Sequence, residues 1–348
     1  MPEIVKPTII PRYEDYNIVK NINIVQCFMT SIQWVNYDEE YTREKMRRIQ
    51  QLRKKDIYSE ASFDYNIRTR QNCNIVYEDD SFRKEQDEIK KQETYSMMAA
   101  NGHFSYEGTL NLFSPKFYSI LKNMQKYISN GVPTGKILYY SDFRHESGSE
   151  AFEKILIQNG YEKYESDKEN INELISKKAT KKRYTFITGK ESQEQRRINK
   201  EAFNHIGNLK GDYIHIILIS SSGAEGISLK AVRQVHVMEP FWNYIRVDQV
   251  LGRAARMESH IDLLEDERTV EQYLYLAMLP EGNTVKDVYE SLKELDWSEV
   301  RDISIKGDIK KGLIENHKAI YKTITKILSI KKETKDRSVD QILFDIME

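Results

Sequence analysis

Two arginines three residues apart, Arg253 and Arg256, end the run Gln249-Val250-Leu251-Gly252-Arg253-Ala254-Ala255-Arg256. Helix positions three apart share a face, so Arg253 and Arg256 project to one side. A planar, permanently charged guanidinium matches phosphate oxygens. It can offset the charge that spreads over a transferring phosphoryl group without moving a proton. Alone, such a pair is an ordinary solvated helix face. The preceding residues change that reading. Ser220-Ser221-Ser222-Gly223-Ala224-Glu225-Gly226 is a run of small residues that lets backbone approach a ligand closely. No metal site is expected. The two cysteines, Cys27 and Cys73, form no CxxC pair, and the histidines, His236 included, read as core groups.

The elements that must position these residues are legible as patterns. Residues 215–220 are a short β-branched run of the kind buried on both faces of a parallel sheet. The small-residue loop follows, then a second strand over 234–238, a break at Pro240, and a helix over 244–255 carrying the arginines. This layout suits phosphates held at the carboxyl edge of a sheet. Residues 22–29, 136–141 and 184–188 also read as strands, with a further one over 269–278. Ser114-Pro115 predicts a capped helix start, with Ile120, Leu121 and Met124 on its inner face. A helix near 150–158 turns Phe152, Ile155 and Leu156 inward and stops at Gly160. Another spans 191–204, and helices are predicted over 285–295 and 310–330. Short apolar strands alternating with helices predict an α/β fold with a parallel, doubly wound sheet.

Composition sets the limits. The 348 residues carry 53 basic and 54 acidic groups, a net charge of −1, so only local clusters bear on nucleic acid. Seven basic residues between Arg43 and Lys55 stand against Glu44 alone, and 177–183 reads KKATKKR. Residues 78–108 are polar and read as a partly mobile surface insertion, and 162–183 as a second polar insertion. Scarce cysteine fits a reducing compartment. No apolar run approaches the roughly 20 residues that span a bilayer, and no signal-peptide core is present. A soluble intracellular protein is expected.

The stretch 220–256 resembles the last two motifs of superfamily 2 helicases and translocases. SSSGAEGISL is similar to their motif V, and Gln249 to Arg256 fits QxxGRxxR, their motif VI, at every defined position. The resemblance extends to the helicases of large nucleocytoplasmic DNA viruses, the group of the poxvirus early transcription factor small subunit and nucleoside triphosphate phosphohydrolase I. Residues 136–144 resemble motif IV, and the strand, Gln33, Tyr37 and helix order resembles the opening of a second motor lobe. Arg68-Thr69-Arg70-Gln71 before Cys73-Asn74 is a further sign of kinship with no chemistry attached.

This resemblance implies a RecA-like helicase C-terminal lobe: an N-terminal extension and insertion over 1–110, the lobe over 111–280 and a helical tail over 281–348. It implies an ATP-dependent motor in which Arg256 is the arginine finger, with Arg253 and Gln249 also facing the phosphates. Glu225, Gly226, Ser228 and Gly252 would border the nucleotide, although the family more often has Asp at the ribose position held here by Ser228. Ser141, Thr188, Gly189, Ser220, Ser221 and Ser222, with Arg196, would grip a DNA or RNA backbone. ATP with Mg²⁺ would be bound mainly by a first lobe, in cis or in trans. Viral RNA polymerase is an implied partner, and virion and host cytoplasm are the implied locations. The rival reading is a non-catalytic module that holds nucleic acid or a transcription complex. A nucleotide-sugar transferase of similar layout would leave the arginine pair unexplained.

The parts of a first lobe are not found in this sequence. Gly131-Val132-Pro133-Thr134-Gly135-Lys136 mimics a phosphate loop but is one residue short and leads into a strand. Asp38-Glu39-Glu40 mimics an acidic Mg²⁺ motif but stands in a charged helix. The chain therefore reads as a second lobe, a fragment or a separately encoded protein, and apolar spacing up to residue 348 suggests continuation beyond it. By itself it is expected not to hydrolyse ATP. Phosphate release by purified protein checks this, with Arg256→Ala as the control for contaminants. Turnover that depends on Arg256 would refute it.

Overall fold

The computed structural model describes residues 3–4, 22–53, 66–168, 170–221, 227–241, 244–256, 258–280 and 337–347. Its strands are β1 (Glu3–Ile4), β2 (Asn23–Phe28), β3 (Ile128–Ser129), β4 (Val132–Pro133), β5 (Lys136–Ser141), β6 (Glu162–Lys163), β7 (Arg183–Ile187), β8 (Ile216–Ser220), β9 (Val232–Val237) and β10 (Thr269–Met278). Its main helices are α1 (Ser31–Arg53), α2 (Ile67–Asn74), α3 (Ser81–Glu85), α4 (Glu88–Ala100), α5 (Leu110–Phe113), α6 (Pro115–Met124), α7 (Ser149–Gln158), α8 (Ile171–Ser176), α9 (Gln193–Asn204), α10 (Tyr244–Ala254) and α11 (Val339–Met347).

All six residues of β5 are buried, and so are all of β7 and β8, which is possible only where both faces of a sheet are covered. The sheet runs β10-β9-β5-β8-β7-β6, with β1 and β2 on the outer edge of β10, and every one of these pairings is parallel. Successive side chains alternate between two cores. Ile137, Tyr139, Ile216 and Leu218 meet Phe117, Ile120 and Leu121 of α6 and Phe152, Ile155 and Leu156 of α7. Leu138, Tyr140, Ile217 and Ile219 meet Ala202 and Phe203 of α9 and Val247, Val250 and Leu251 of α10. The predicted parallel α/β lobe is what forms. The signals at its helix ends hold too: Ser114 caps α6 by accepting from the Phe117 amide at 3.1 Å, and Gly160 adopts φ +79°.

Two segments depart from expectation. Residues 78–108 are not a surface insertion, because Phe82, Tyr95, Met98 and Phe104 join the first core. Tyr77, Phe82, Tyr95 and Phe104 pack edge to face or tilted with centroids 5.4–6.3 Å apart. Sparse but bulky aromatics outweigh the polar residues between them. Likewise 162–183 supplies edge strand β6 and sends Tyr164, Ile171 and Leu174 into the second core. Its basic run is internally engaged: Lys181 pairs with Glu162 at 2.8 Å and Arg183 donates to the Ala179 carbonyl. The helices predicted over 285–295 and 310–330 lie outside the described residues.

Both decoys resolve. Asn130 and Gly131 (φ 49° and 77°) form the turn of the β3–β4 hairpin, and Lys136 opens β5 fully buried, donating to the Phe203 carbonyl at 2.9 Å. Asp38, Glu39 and Glu40 lie within α1, where Glu39 and Glu40 pair with Arg43. Glu44 of α1 serves as a remote cap for α2, accepting from the amides of Arg68 (3.0 Å) and Thr69 (3.3 Å). Cys27 and Cys73 are buried free thiols.

Helix α11 is fastened to the lobe by a buried ion pair between Lys116 and Asp340. Lys116 also donates to Asn74 Oδ1 (3.1 Å) and the Met238 carbonyl (3.0 Å), and Asp340 accepts from the Ala277 amide of β10 (3.0 Å). Removing one member strands a buried charge, so Asp340→Ala should cost about 3–5 kcal/mol in urea unfolding. Lys116→Met combined with Asp340→Leu should recover most of that. An Asp340→Ala protein of unchanged stability would show the pair is not closed.

Candidate functional site

Helix α10 buries Val247, Val250, Leu251 and Ala254 against the sheet and leaves Gln249 and Gly252 exposed on the opposite side, followed by exposed Arg256. Arg253 is half-buried, with Nη1 3.5 Å from the Ile227 carbonyl. Arg256 donates to the hydroxyl of Ser228 and has no carboxylate partner among the described residues. A Cβ added at Gly252 would meet nothing within 4 Å, so the helix face is bare there. The chain before β9 is tied to the end of α10: the Leu229 amide donates to the Arg253 carbonyl (3.1 Å), and the Ala231 amide, at φ 55°, donates to that of Ser259 (2.8 Å). These bonds bring Ser228 to Arg256. Ser222, Glu225 and Gly226 lie outside the described residues.

This arginine face is not at the carboxyl edge of the sheet, where the sequence pattern suggested it. Helix α10 starts beyond the carboxyl end of β9 and runs back along the sheet, so its last turn lies beside the residues that lead into β9. The hydroxyl residues do occupy the carboxyl edge, at the ends of β5, β7 and β8. Their side chains are spoken for. Ser141 is buried, donating to Glu239 Oε1 (2.6 Å) and accepting from the Phe143 amide (3.1 Å). Thr188 is buried and donates its hydroxyl (2.7 Å) and amide (2.6 Å) to Glu191 Oε2. Ser220 is buried, Ser221 half-buried and Gly189 exposed. Arg196 donates Nε to the Glu191 carbonyl at 2.9 Å, closing the same loop. These are the local turn and cap bonds that Ser and Thr favour.

The residue that organises this edge belongs to none of the sequence motifs. Glu239 follows β9 and is buried; it accepts from Ser141, from the Asp142 amide (3.0 Å) and from Asn74 Nδ2 (2.5 Å). Burial, reinforced by the neighbouring Asp142 carboxylate, pushes Glu239 up to about 7. Its signal in the sequence is an acidic residue at a strand's carboxyl end directly before Pro240. Asn74, from the stretch given no chemistry, meets it. Beside Glu239, Asp142 pairs with Arg246 of α10 (3.1 Å) and approaches Arg70 of α2 (3.9 Å).

Residues 121–258 match the model of the helicase conserved C-terminal domain. The chain is 32% identical over 205 residues to a termination factor NPH-I homolog of African swine fever virus, covering 49% of this chain and 28% of that protein. It is 31% identical over 177 residues to a killer plasmid pGKL-2 helicase, described as uncharacterized, of Kluyveromyces lactis, covering 48% and 28%. The chain spans about a quarter of the length of the curated relatives it matches. Among solved structures, the C-terminal part of the Fun30 ATPase domain shares 14% identity at a TM-score of 0.41, over 88% of this chain and 97% of that one.

Glu239 gives the site a pH signature. The folded chain holds its proton up to about 7, whereas the unfolded chain releases it near the ordinary 4.5. Between those values the unfolded state binds fewer protons, so this group's contribution to stability declines as pH rises. Buried His215 and His236, held down to about 3 by burial, act oppositely below their ordinary 6.5. The difference between wild type and Glu239→Gln isolates the carboxyl. Denaturant unfolding should show that difference shifting in the variant's favour by roughly 3 kcal/mol from pH 4.5 to 7. A pH-independent difference would mean Glu239 ionises as if exposed.

Proposed function

The chain carries a helicase conserved C-terminal domain over residues 121–258, and from that premise we propose that it is the second lobe of a two-lobe, ATP-driven nucleic-acid motor. The observation that carries the proposal is the exposed side of α10, with Gln249 and Gly252, and just past its end an exposed Arg256 that rests on a neutral hydroxyl. A guanidinium with no carboxylate partner among the described residues, beside an unobstructed glycine, fits a polyanion brought by another lobe. ATP with Mg²⁺, held mainly by that lobe, supplies the phosphoryl group whose transfer the motor uses. Arg256, with Arg253 behind it, offsets the developing charge; Ser228 sets the rotamer of Arg256 before the lobes close. Gln249, about two turns before Arg256 on the exposed side of α10, orients the phosphates. Glu225 and Gly226, which precede Ser228 in sequence, are assigned to the nucleotide side by the same reading.

The carboxyl edge forms the nucleic-acid side. Exposed Gly189 and half-buried Ser221 offer backbone donors there, while Ser141, Thr188 and Arg196 hold the loops in shape. Closure of the lobes around nucleotide then becomes movement along a strand. The African swine fever virus relative is named a termination factor, a name that supports a transcription-linked role and a virus as source; RNA polymerase is the partner this reading proposes.

With a phosphate-loop lobe supplied, Arg256→Ala should lower kcat by roughly 10³–10⁵ with the fold intact. Arg256→Lys should restore little, since a point charge cannot reproduce the planar fork. Steady-state ATP hydrolysis by the reconstituted pair measures both. Near-normal turnover in Arg256→Ala would show that α10 does not face the nucleotide.

A further inference from the structure

Asp142, immediately after β5, lies between two arginines from different elements. Its Oδ1 accepts from the Tyr140 hydroxyl (2.8 Å) and pairs with Arg246 Nη2 at 3.1 Å. Its Oδ2 faces Arg70 Nη2 at 3.9 Å, too long for a hydrogen bond. Each guanidinium is backed by an aromatic ring: Arg246 lies 4.3 Å from the centroid of Phe241, and Arg70 5.2 Å from that of Phe143. Only 14% of the Arg70 side chain is exposed, and its Nε and Nη2 have no hydrogen-bond partner among the described residues. A buried charged donor without an acceptor is costly, and folded chains rarely leave one unless something else completes it. Two aromatic-backed guanidiniums around one carboxylate are the donor half of a site for a bidentate oxyanion.

We propose that Arg70 and Arg246 form a phosphodiester subsite at the carboxyl edge of the sheet, and that Asp142 occupies it in the absence of ligand. The ligand is a phosphate of a nucleic-acid backbone, whether DNA or RNA. It displaces the Asp142 carboxylate, completes the hydrogen bonds of Arg70 and takes Arg246 from its ion pair. This inference rests on the nucleic-acid half of the proposed function and changes its residues: the charged contacts come from α2 and α10, not from the hydroxyls of Ser141 and Thr188, which are buried and hydrogen-bonded. Arg246 stands in the first turn of the helix that ends beside Arg256. Displacement of Asp142 therefore acts on the same rigid element that carries the arginine face, linking the two ligand sides.

The test is fluorescence anisotropy of labelled 20-residue DNA and RNA oligonucleotides of two unrelated sequences, titrated with the full chain across a salt series. Arg246→Gln and Arg70→Gln should each weaken binding about fivefold at 0.1 M salt. Each should also flatten the salt slope by about 0.7, the effect of one phosphate contact on single strands. Asp142→Asn, which keeps an acceptor for Tyr140 but removes the competing charge, should tighten binding. A purely structural ion pair predicts the opposite sign, so weaker binding by Asp142→Asn at unchanged thermal stability overturns the proposal. An unaltered slope in Arg246→Gln also overturns it. Should Arg70→Gln not fold, the other two variants decide. Wild type that binds neither oligonucleotide at low salt refutes the nucleic-acid reading itself, whereas intact binding with indifferent variants refutes only this subsite. The DNA and RNA arms show which backbone is taken.

Discussion

A parallel sheet covered on both faces offers ligands its ends and the outer faces of its helices, because its own surfaces are filled. Here the constraint is strict: β5, β7 and β8 have no residue outside the core. Everything the lobe can present to other molecules is pushed to the strand ends or to the far side of helices such as α10. The period-2 alternation that feeds two cores, with α6 and α7 on one and α9 and α10 on the other, produces this geometry.

Because α10 runs back along the sheet, it separates two surfaces instead of merging them. Its first turn, with Arg246, belongs to the carboxyl edge, and its end, with Arg256, lies by the residues leading into β9. A helix of 11 residues is a short, stiff connector. In a motor such a connector can relate strand contact to nucleotide contact without any further moving part.

The carboxyl edge is maintained by buried polar groups whose bonds close on one another. Glu239 joins β5, β9 and α2; Asn74 joins Glu239 to Lys116; Lys116 joins Asp340 of α11. In a low-dielectric interior each group needs every partner, so the knot specifies one arrangement and penalises others. It also explains why residues distant in sequence, from α2 to α11, act on one edge.

Much of this was determined by sequence alone. Strand period, the Ser114 cap, the stop at Gly160 and the break at Pro240 follow from local backbone rules, and they located β5 and β10 to the residue and α10 within one. Local rules could not supply the three-dimensional neighbours. The 78–108 segment looked like surface because its aromatics are few, yet Phe82, Tyr95 and Phe104 meet in space and form core. Hydroxyls recur at strand ends, but a distant carboxylate, Glu239, takes the Ser141 hydroxyl, and Glu191 in its own loop takes that of Thr188. The placement of Arg70 and Arg246 around Asp142 joins residues from three elements with no sequence spacing in common. Spacing along a chain records what one element can present; which groups neutralise, bury or free one another depends on distances that only packing sets.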